Sequence, residues 1–390
     1  MSNGKFSAQS ASGVRAAAGS EAAFTAGWTA AGSLRVRPAV GFVLKVVAGI
    51  CVAGLCVQLG AAESQAAETN APQLLSCKKI WSGAKHNAFT DLIRFRDQWF
   101  CTFREADAHV GSDGRIRVLV SETGEAWASA AMLEEAGTDL RDPKLSITAD
   151  NRLMLVLGGS VYQARKLVER QPRTAFSRDG RTWTAPQRVL ERDDWLWRVT
   201  WHEGRAYGIV YTAPIPTPSA ASSASPPEWT LKFVASAEGT NFHRVTRLEV
   251  PNHPNEGTVR FLPNGDCVAL VRRDGLDRKA DTTAWIGVSR APYQEWRWHS
   301  AGMYVGGPDF LVLPNGTMVA AGRQLNPAPT GARTFVGRMD PDSVRPQLVL
   351  PSGGDCSYPG LVWYDNLLWV TYYSSHEGRT SIYLAKVSYR

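Results

Sequence analysis

Short apolar segments separated by two-residue polar turns recur along the second half of the chain and much of the first. Asp150-Asn151 precedes the run RLMLVL, for example, and Asn315-Gly316 precedes TMVAA. Asn, Asp and Gly supply the positive φ angles that tight hairpin turns require. The first residues of six such turns stand at positions 97, 150, 203, 264, 315 and 365. This spacing of about 50 residues predicts six repeats of four short strands each.

The predicted fold is therefore all-β, a six-bladed β-propeller with four-stranded antiparallel blades. A solenoid is the competing repeat fold, but the length of the repeat favours the propeller. The one longer interval contains the Pro/Ser/Ala-rich segment Ala213–Pro227, which is predicted to be a surface insertion. The composition agrees, because 14 Trp, 35 Gly and 22 Pro are typical of an all-β repeat protein.

A second repeat runs in phase with the turns. Residues 177–183 read SRDGRTW, and residues 121–127 and 236–242 keep the Ser, the Gly and an aromatic residue at the same spacing. The motif resembles the Asp box of sialidases and related propellers. The resemblance implies a tight turn between outer strands, with the aromatic residue packed between blades. Asp179 and Trp183 are accordingly interpreted as structural residues.

The N-terminal segment has the order of an export signal. Val46–Val57 is a run of apolar or small residues that follows basic residues and precedes the small-residue sequence Ser64-Gln65-Ala66. The run is short for a membrane span, which needs about 18 residues or more. Residues 1–66 are therefore predicted to be a signal segment, and residues 67–390 the propeller of a secreted or periplasmic protein. An uncleaved membrane anchor is the alternative.

The distribution of charge argues against nucleic-acid binding, and the positions of the cysteines argue against a structural zinc site. The formal net charge is +7, but no run of Lys or Arg could form a phosphate-binding stripe, so nucleic-acid binding is not expected. Export permits disulfides among Cys77, Cys101, Cys267 and Cys356, in three possible full pairings. None of the four lies in a CxxC or Cys/His cluster, so a structural zinc site is not predicted.

Two segments carry candidate chemistry. Asn255-Glu256 opens one predicted inner strand and Arg272-Arg273 closes the next, which places a carboxylate and a guanidinium on neighbouring strands. An ordinary surface ion pair would give the same pattern. The second segment, GDCSYPGL at 354–361, places Tyr358 before another inner strand, where a core tyrosine is the alternative.

Both segments resemble those of the sialidase superfamily. The resemblance implies that Tyr358 is the nucleophile, that Glu256 is the base that activates it, and that Arg272 binds the substrate carboxylate. A free phenol is a poor nucleophile at neutral pH, so a neighbouring carboxylate base is chemically reasonable. Arg323, at the end of the following blade's second strand, stands at the position expected to be equivalent to Arg272. It is a further candidate for carboxylate binding, and a structural salt bridge is the alternative.

The resemblance breaks in the first blade, where Thr90 stands in place of the first of three substrate-binding arginines. Arg104, on the adjacent strand, is a candidate substitute. The following loop holds Asp107 and His109, either of which is a candidate acid/base for the glycosidic oxygen.

Two inner-strand residues complete the candidate set. Asp142 either lines the pocket or caps its strand. Arg198 lies among tryptophans that suit a charged sugar, or that pack between blades.

The resemblance implies an exo-glycosidase of sialidase type that acts on sialic acid or a related acidic sugar of a glycoconjugate, without a cofactor or a metal. Two alternatives stay open. The first is a glycosidase of the same fold that acts on a non-sialyl glycoside. The second is a non-catalytic carbohydrate-binding propeller, which Thr90 favours.

Overall fold

The computed structural model describes residues 71–215, 227–275, 281–325 and 331–389. Within these residues the chain forms 24 β-strands and no helix. The strands are β1 (Gln73–Trp81), β2 (His86–Phe95), β3 (Gln98–Ala106), β4 (Arg115–Ser121), β5 (Ala128–Leu133), β6 (Asp139–Ile147), β7 (Leu153–Gln163), β8 (Lys166–Ser177), β9 (Gln187–Arg188), β10 (Asp194–His202), β11 (Arg205–Thr212), β12 (Thr230–Ser236), β13 (His243–Leu248), β14 (Pro254–Phe261), β15 (Cys267–Arg273), β16 (Trp285–Ser289), β17 (Arg297–Ser300), β18 (Gly306–Val312), β19 (Met318–Leu325), β20 (Ala332–Asp340), β21 (Ser343–Val349), β22 (Cys356–Tyr364), β23 (Leu367–Ser374) and β24 (Ser381–Ser388).

The strands form six four-stranded antiparallel sheets, which are the blades of a propeller. Each blade begins with its inner strand, and consecutive inner strands contact each other around the ring until β22 contacts β2. All six predicted turns join the first and second strands of a blade. The prediction of a six-bladed propeller is therefore confirmed.

The ring is closed by the first described strand. β1 pairs antiparallel with β24 and is the outer strand of the sixth blade, whose order is β1-β24-β23-β22. The Sγ of Cys77 on β1 and the hydroxyl of Tyr372 on β23 are 3.1 Å apart, across 295 positions of sequence. One blade is thus built from both ends of the described chain.

The motif at 177–183 forms a tight turn between β8 and β9. The backbone N–H of Gly180 donates to Ser177 Oγ (2.8 Å), and the backbone N–H of Thr182 donates to Asp179 Oδ1 (2.8 Å). Gly180 has a φ of 73°. A Cβ there would lie 2.1 Å from the ring of Phe100 in the preceding blade, so only glycine fits this turn against its neighbour.

A fourth turn of similar geometry follows β16 and was missed in the sequence. Trp296 Nε1 donates to the carbonyl of Tyr293 (3.1 Å), as Trp183 Nε1 donates to the carbonyl of Gly180 (3.1 Å). Tyr293 has a φ of 65° in the position that glycine takes elsewhere. The Tyr and a longer spacing from Ser289 conceal the repeat.

Every inner strand contains a β-bulge at the same level. In each blade two residues of the inner strand have no partner in the register of the second strand, between Ala88 and Asp91 in the first blade and between Ser357 and Gly360 in the sixth. The other four inner strands have the same irregularity. Bulges redirect side chains and are common beside active sites.

Several sequence expectations concern residues away from the site. The predicted export segment at 1–66 lies outside the described residues, as does all of the predicted insertion except its ends. The four cysteines of the described segments are free thiols, so the disulfides that the sequence permitted are absent there. None of these segments forms a helix with the length and apolar character needed to cross a membrane.

Candidate active site

The bulges bring side chains from several blades together at the centre of the ring. Phe89, Asp142, Gly307 and Tyr358 are the first bulge residues of their strands, and all four have positive φ, from 49° to 64°. The ring of Phe89 lies 5.1 Å from that of Tyr358, and the ring of Trp197 lies 5.3 Å from it on another side. A Cβ on Gly307 would lie 2.6 Å from Tyr358 Cδ2, so this glycine leaves room for the tyrosine ring.

Tyr358, Glu256 and Arg272 form one hydrogen-bonded group. The Tyr358 hydroxyl donates to Glu256 Oε1 at 2.5 Å and accepts from Arg272 Nη1 at 3.0 Å. The other carboxylate oxygen, Oε2, accepts from Arg272 Nη1 (2.8 Å) and from the backbone N–H of Gly307 (2.8 Å). Glu256 and Tyr358 are 102 positions apart in sequence, and the ring brings them into contact.

The environment separates the protonation states of these two groups. Burial disfavours the charged form of Glu256, but the charge of Arg272 and the donors around the carboxylate outweigh burial and lower its pKa. Burial and the charge of Glu256 hold the pKa of Tyr358 well above its usual range. At neutral pH the pair is thus a carboxylate that accepts a hydrogen bond from a neutral phenol.

Arg272 and Arg323, two of the candidate substrate-binding arginines, have protein partners. Arg272 forms a bidentate pair with Asp274 through Nε (2.8 Å) and Nη2 (3.0 Å), and its side chain is 15% exposed. Arg323 donates to the Cys356 carbonyl (2.9 Å) and to the Tyr373 hydroxyl (3.0 Å). The guanidinium carbon of Arg323 lies 5.4 Å from the centre of the Tyr358 ring.

The strand register revises the relation between these two arginines. Arg323 pairs with Gly306 across its bulge, as Arg273 pairs with Pro254. The sequence suggested that Arg323 is the equivalent of Arg272. The register shows instead that it is the equivalent of Arg273.

A hydrogen-bonded cluster around Asp355 lies beside Phe89, and the sequence did not predict it as a group. Asp355 Oδ2 lies 2.9 Å from His86 Nε2 and 2.8 Å from His109 Nδ1, and Oδ1 accepts from the Tyr373 hydroxyl (2.8 Å). These contacts keep the pKa of Asp355 far below its usual range although burial opposes the charge. The ring of His109, a candidate from the sequence, lies 5.2 Å from that of Phe89, which in turn contacts Tyr358.

His86, His109 and Asp355 are also the one group in the described segments whose ligand atoms, all within 4.8 Å of one another, could hold a metal ion. A metal on His86 Nε2 would require the proton of that ring to lie on Nδ1. Nδ1 is buried and has no hydrogen-bond partner, so this tautomer would leave an unpaired donor. The hydrogen-bonded cluster is the arrangement that the geometry favours.

Asp107 lies in the loop that follows β3, and Arg104 lies near the end of β3 itself. The Asp107 side chain is 72% exposed and pairs with Lys85 at 3.2 Å. Arg104 is 0% exposed, and its guanidinium bonds to Asp139 (2.6 Å) and to the carbonyls of Ala108 and Ser112. Arg104 therefore holds the loop that follows β3, and the structure does not bring it to the place of the missing arginine.

Thr90 and Arg198 bond to the inner strands of other blades. The Thr90 hydroxyl donates to the Tyr358 carbonyl (2.7 Å), so the first-blade residue that lines the site is its neighbour Phe89. Arg198 pairs with Asp91 (3.0 Å) and Asp309 (3.3 Å) and is 4% exposed. It ties three inner strands together instead of facing a sugar.

Asp142 is partly buried at the bulge of β6. Its Oδ1 is inaccessible to solvent and has no hydrogen-bond partner. The neighbouring Arg141 uses Nη1 for Asp139 (3.0 Å) and for the His109 carbonyl (2.8 Å), and its guanidinium carbon lies 4.9 Å from the centre of the Phe89 ring. Arg141 was not singled out in the sequence.

Fold and site together define a six-bladed propeller of the kind found in several glycosidases. No protein-family model matches the chain, and no curated protein sequence matches it. Similar solved structures include a protein of unknown function from Dyadobacter fermentans, with 18% identity and a TM-score of 0.69 over 82% of this chain and 100% of that one.

Glycosidases are among the other similar structures. The α-L-arabinofuranosidase of Fusarium graminearum has 14% identity and a TM-score of 0.59, over 80% of this chain and 97% of that one. Trypanosoma rangeli sialidase has 13% identity and a TM-score of 0.61, over 78% of this chain and 55% of that one. At these identities the likeness shows a shared fold.

Proposed function

We propose that the protein is a retaining exo-glycosidase of sialidase type, with Tyr358 as nucleophile and Glu256 as the base that activates it. One observation carries the proposal: the buried Tyr358 hydroxyl donates to Glu256 Oε1 at 2.5 Å. The glycosidases among the similar structures support the reaction class. The expected partner is a glycan or glycoconjugate.

The pair can perform the first step without another base. The phenol oxygen of Tyr358 attacks the anomeric carbon while its proton passes to Glu256, and the glycosidic C–O bond breaks. Arg272 stays within 3.0 Å of the phenol oxygen and stabilises negative charge that develops there. A covalent glycosyl-tyrosine results, which water hydrolyses in the second step, as in retaining glycosidases generally.

Tyr358→Phe tests the nucleophile. We expect the variant to lose about a thousandfold or more of the kcat for a fluorogenic aryl glycoside, because the attacking oxygen is removed. Tyr364→Phe, a change of an exposed tyrosine at the outer end of β22, is the matched control and should keep full activity. Full activity in Tyr358→Phe, with an unchanged melting temperature, would refute the nucleophile.

The substrate class has a second candidate. If the substrate is a sialic acid or a related acidic sugar, Arg272 and Arg323 bind the sugar carboxylate. Both guanidinium groups already bond to protein, and the apolar Phe89 lies where the first blade meets the site. These contacts favour a neutral, non-sialyl glycoside such as a pentofuranoside.

A panel of aryl glycosides with equal leaving groups decides between the two. It should contain an α-sialoside and an α-L-arabinofuranoside, and kcat/KM is the measured quantity. Turnover of the sialoside alone supports an acidic sugar as the substrate. Turnover of the arabinofuranoside alone supports a neutral glycoside. Inactivity on every member, with glycan binding retained on an array, would favour a non-catalytic carbohydrate-binding propeller.

Export is part of the proposal. The apolar run Val46–Val57 and the small residues that end at Ala66 support a cleaved signal segment. N-terminal sequencing of the protein recovered outside the cytoplasm should find a chain that starts close after residue 66. Recovery of the full-length chain in the membrane fraction would favour the uncleaved anchor.

A further inference from the structure

The proposed reaction needs a group that protonates the departing glycosidic oxygen. Such a group must face the nucleophile, must hold a proton at the pH of the reaction, and must be free of a fixed partner. Asp107 is highly exposed and paired with Lys85, so it does not combine these properties. His109 is hydrogen-bonded through Nδ1 to Asp355, so it already has a fixed partner.

Asp142 stands in the second blade at the position that Tyr358 occupies in the sixth. Each is the first of two bulge residues, each has positive φ (49° and 52°), and each precedes a proline. The equivalent residue of the first blade, Phe89, lies between these two blades and contacts Tyr358. The shared geometry directs the side chain of Asp142 towards the same central site.

The surroundings of Asp142 leave its carboxyl without a bonded cation. On its own strand, Arg141 is engaged with Asp139 and Lys144 donates to the Thr90 carbonyl (2.9 Å). From other elements, Glu256 of β14 and His109 of the loop after β3 act on it electrostatically. Oδ1 is buried and has no hydrogen-bond partner.

This environment favours the protonated acid. Burial is the largest influence and raises the pKa of Asp142, and the charge of Glu256 adds to it. The positive charges of Arg141 and Lys144 act in the opposite direction without reversing the shift. The contrast with Glu256, whose pKa is lowered, is the pattern expected of an acid and a base that share one site.

We propose that Asp142 is the general acid/base of the reaction, a role that rests on the proposed glycosidase function. In the first step the Asp142 proton goes to the glycosidic oxygen as the C–O bond breaks, and an alcohol leaves. In the second step the Asp142 carboxylate removes a proton from water, whose oxygen attacks the anomeric carbon. The tyrosine oxygen departs and recovers its proton from Glu256, which restores both groups.

The test compares Asp142→Asn with the parent enzyme on glycosides of one sugar that differ in leaving group. For a phenyl or alkyl glycoside, whose leaving group is a weak acid and needs protonation to depart, we expect kcat/KM to fall by about 10² to 10⁴. For a 2,4-dinitrophenyl glycoside, whose leaving group needs no proton, kcat/KM should fall less than tenfold. Azide should accelerate turnover of the dinitrophenyl substrate and yield a glycosyl azide, because it attacks without a base.

The pH dependence gives a second measurement. In the parent enzyme kcat/KM for the phenyl glycoside should decrease at high pH as Asp142 loses its proton, and this limb should be absent in Asp142→Asn. Asp150→Asn, a change in the turn at the opposite end of the same strand pair, is the matched control and should behave as the parent.

The outcomes separate the two proposals. If Tyr358→Phe is inactive on every leaving group but Asp142→Asn loses the same factor on all of them, Asp142 is a positioning residue and the inference is overturned. The inference is also overturned if the loss of kcat/KM depends on the leaving group in His109→Gln or Asp107→Asn but not in Asp142→Asn. If Tyr358→Phe remains active, the proposed nucleophile fails, whatever Asp142 does. Circular dichroism and melting temperatures establish that each variant folds.

Discussion

Arg272 touches both members of the proposed catalytic pair through one nitrogen, Nη1. Its remaining donors hold Asp274, so the guanidinium is fixed on both sides. A cation held in this way stabilises the charged form of Glu256 in a buried site, where an isolated carboxylate would be costly. The arginine thus supports the base even if it never contacts a sugar.

Arg272→Met should therefore change the pH profile as well as the rate. Loss of the cation raises the pKa of Glu256 in the folded enzyme, and the carboxylate is the active form of the base. The acid limb of kcat/KM should consequently move to higher pH, and the maximum should fall by about 10² to 10³.

A matched change, Arg260→Met, removes a different partly buried arginine, one that pairs with Asp309 on β18. It is expected to lower the melting temperature but not to move the acid limb. An acid limb that stays in place in Arg272→Met would contradict this role.

The sequence carries some of these residues and conceals others. Glu256, Arg272 and Tyr358 lie in short segments with a recognisable residue order, so their meeting could be inferred. His86 belongs to no motif and lies 269 positions from Asp355, and only ring closure brings them together. The sequence did not predict that Phe89 lines the site in place of Thr90, because this depends on which of the two bulge residues turns inward.

At the scale of elements, the bulges decide which side chains reach the centre. A regular strand would alternate its side chains strictly between two faces. At each bulge one additional residue makes two residues of the inner strand oppose one of the second strand, which breaks the alternation and lets a bulge residue turn towards the site. The six turns and the repeated motif were predictable, because their residues have strong local preferences. The bulges were not, because no single residue type marks them.

Gly307→Ala tests the importance of one bulge. The added Cβ would lie 2.6 Å from Tyr358 Cδ2 on a backbone with a φ of 60°, so it should both strain the strand and displace the tyrosine. Gly316→Ala is the matched control in the same blade, with a φ of 83° and nothing within 4 Å of the added atom.

Each substitution should cost about 1 kcal/mol of unfolding free energy through backbone strain, measured by chemical denaturation. Only Gly307→Ala should lower kcat, by about tenfold or more if the tyrosine shifts by a fraction of an ångström. Equal activities of the two variants would show that the bulge has no influence on the nucleophile.

For the whole molecule, the pairing of β1 with β24 has the largest structural effect. Without β1, the backbone of β24 would become an exposed edge next to the hydrophobic core of the sixth blade. Trp81 would also be lost, and with it the hydrogen bond from its Nε1 to Glu105 (2.7 Å), which links the sixth blade to the first.

A chain that starts at residue 82 should accordingly melt at a lower temperature and aggregate more readily than one that starts at residue 71. Differential scanning calorimetry and light scattering measure the two effects. The shorter chain should also lose activity, because Tyr358 belongs to the blade that β1 completes. Similar melting and activity of the two proteins would show that closure by β1 is dispensable.

The closure has a consequence for the order of events during synthesis. The ribosome makes β1 early, but the partner of β1 is β24, which is made after all the other strands. A nascent chain therefore keeps an unpaired β1 until almost the whole sequence has emerged, and the sixth blade is the last to assemble. A chain that is released before β24 is made would therefore lack the complete blade that holds Tyr358.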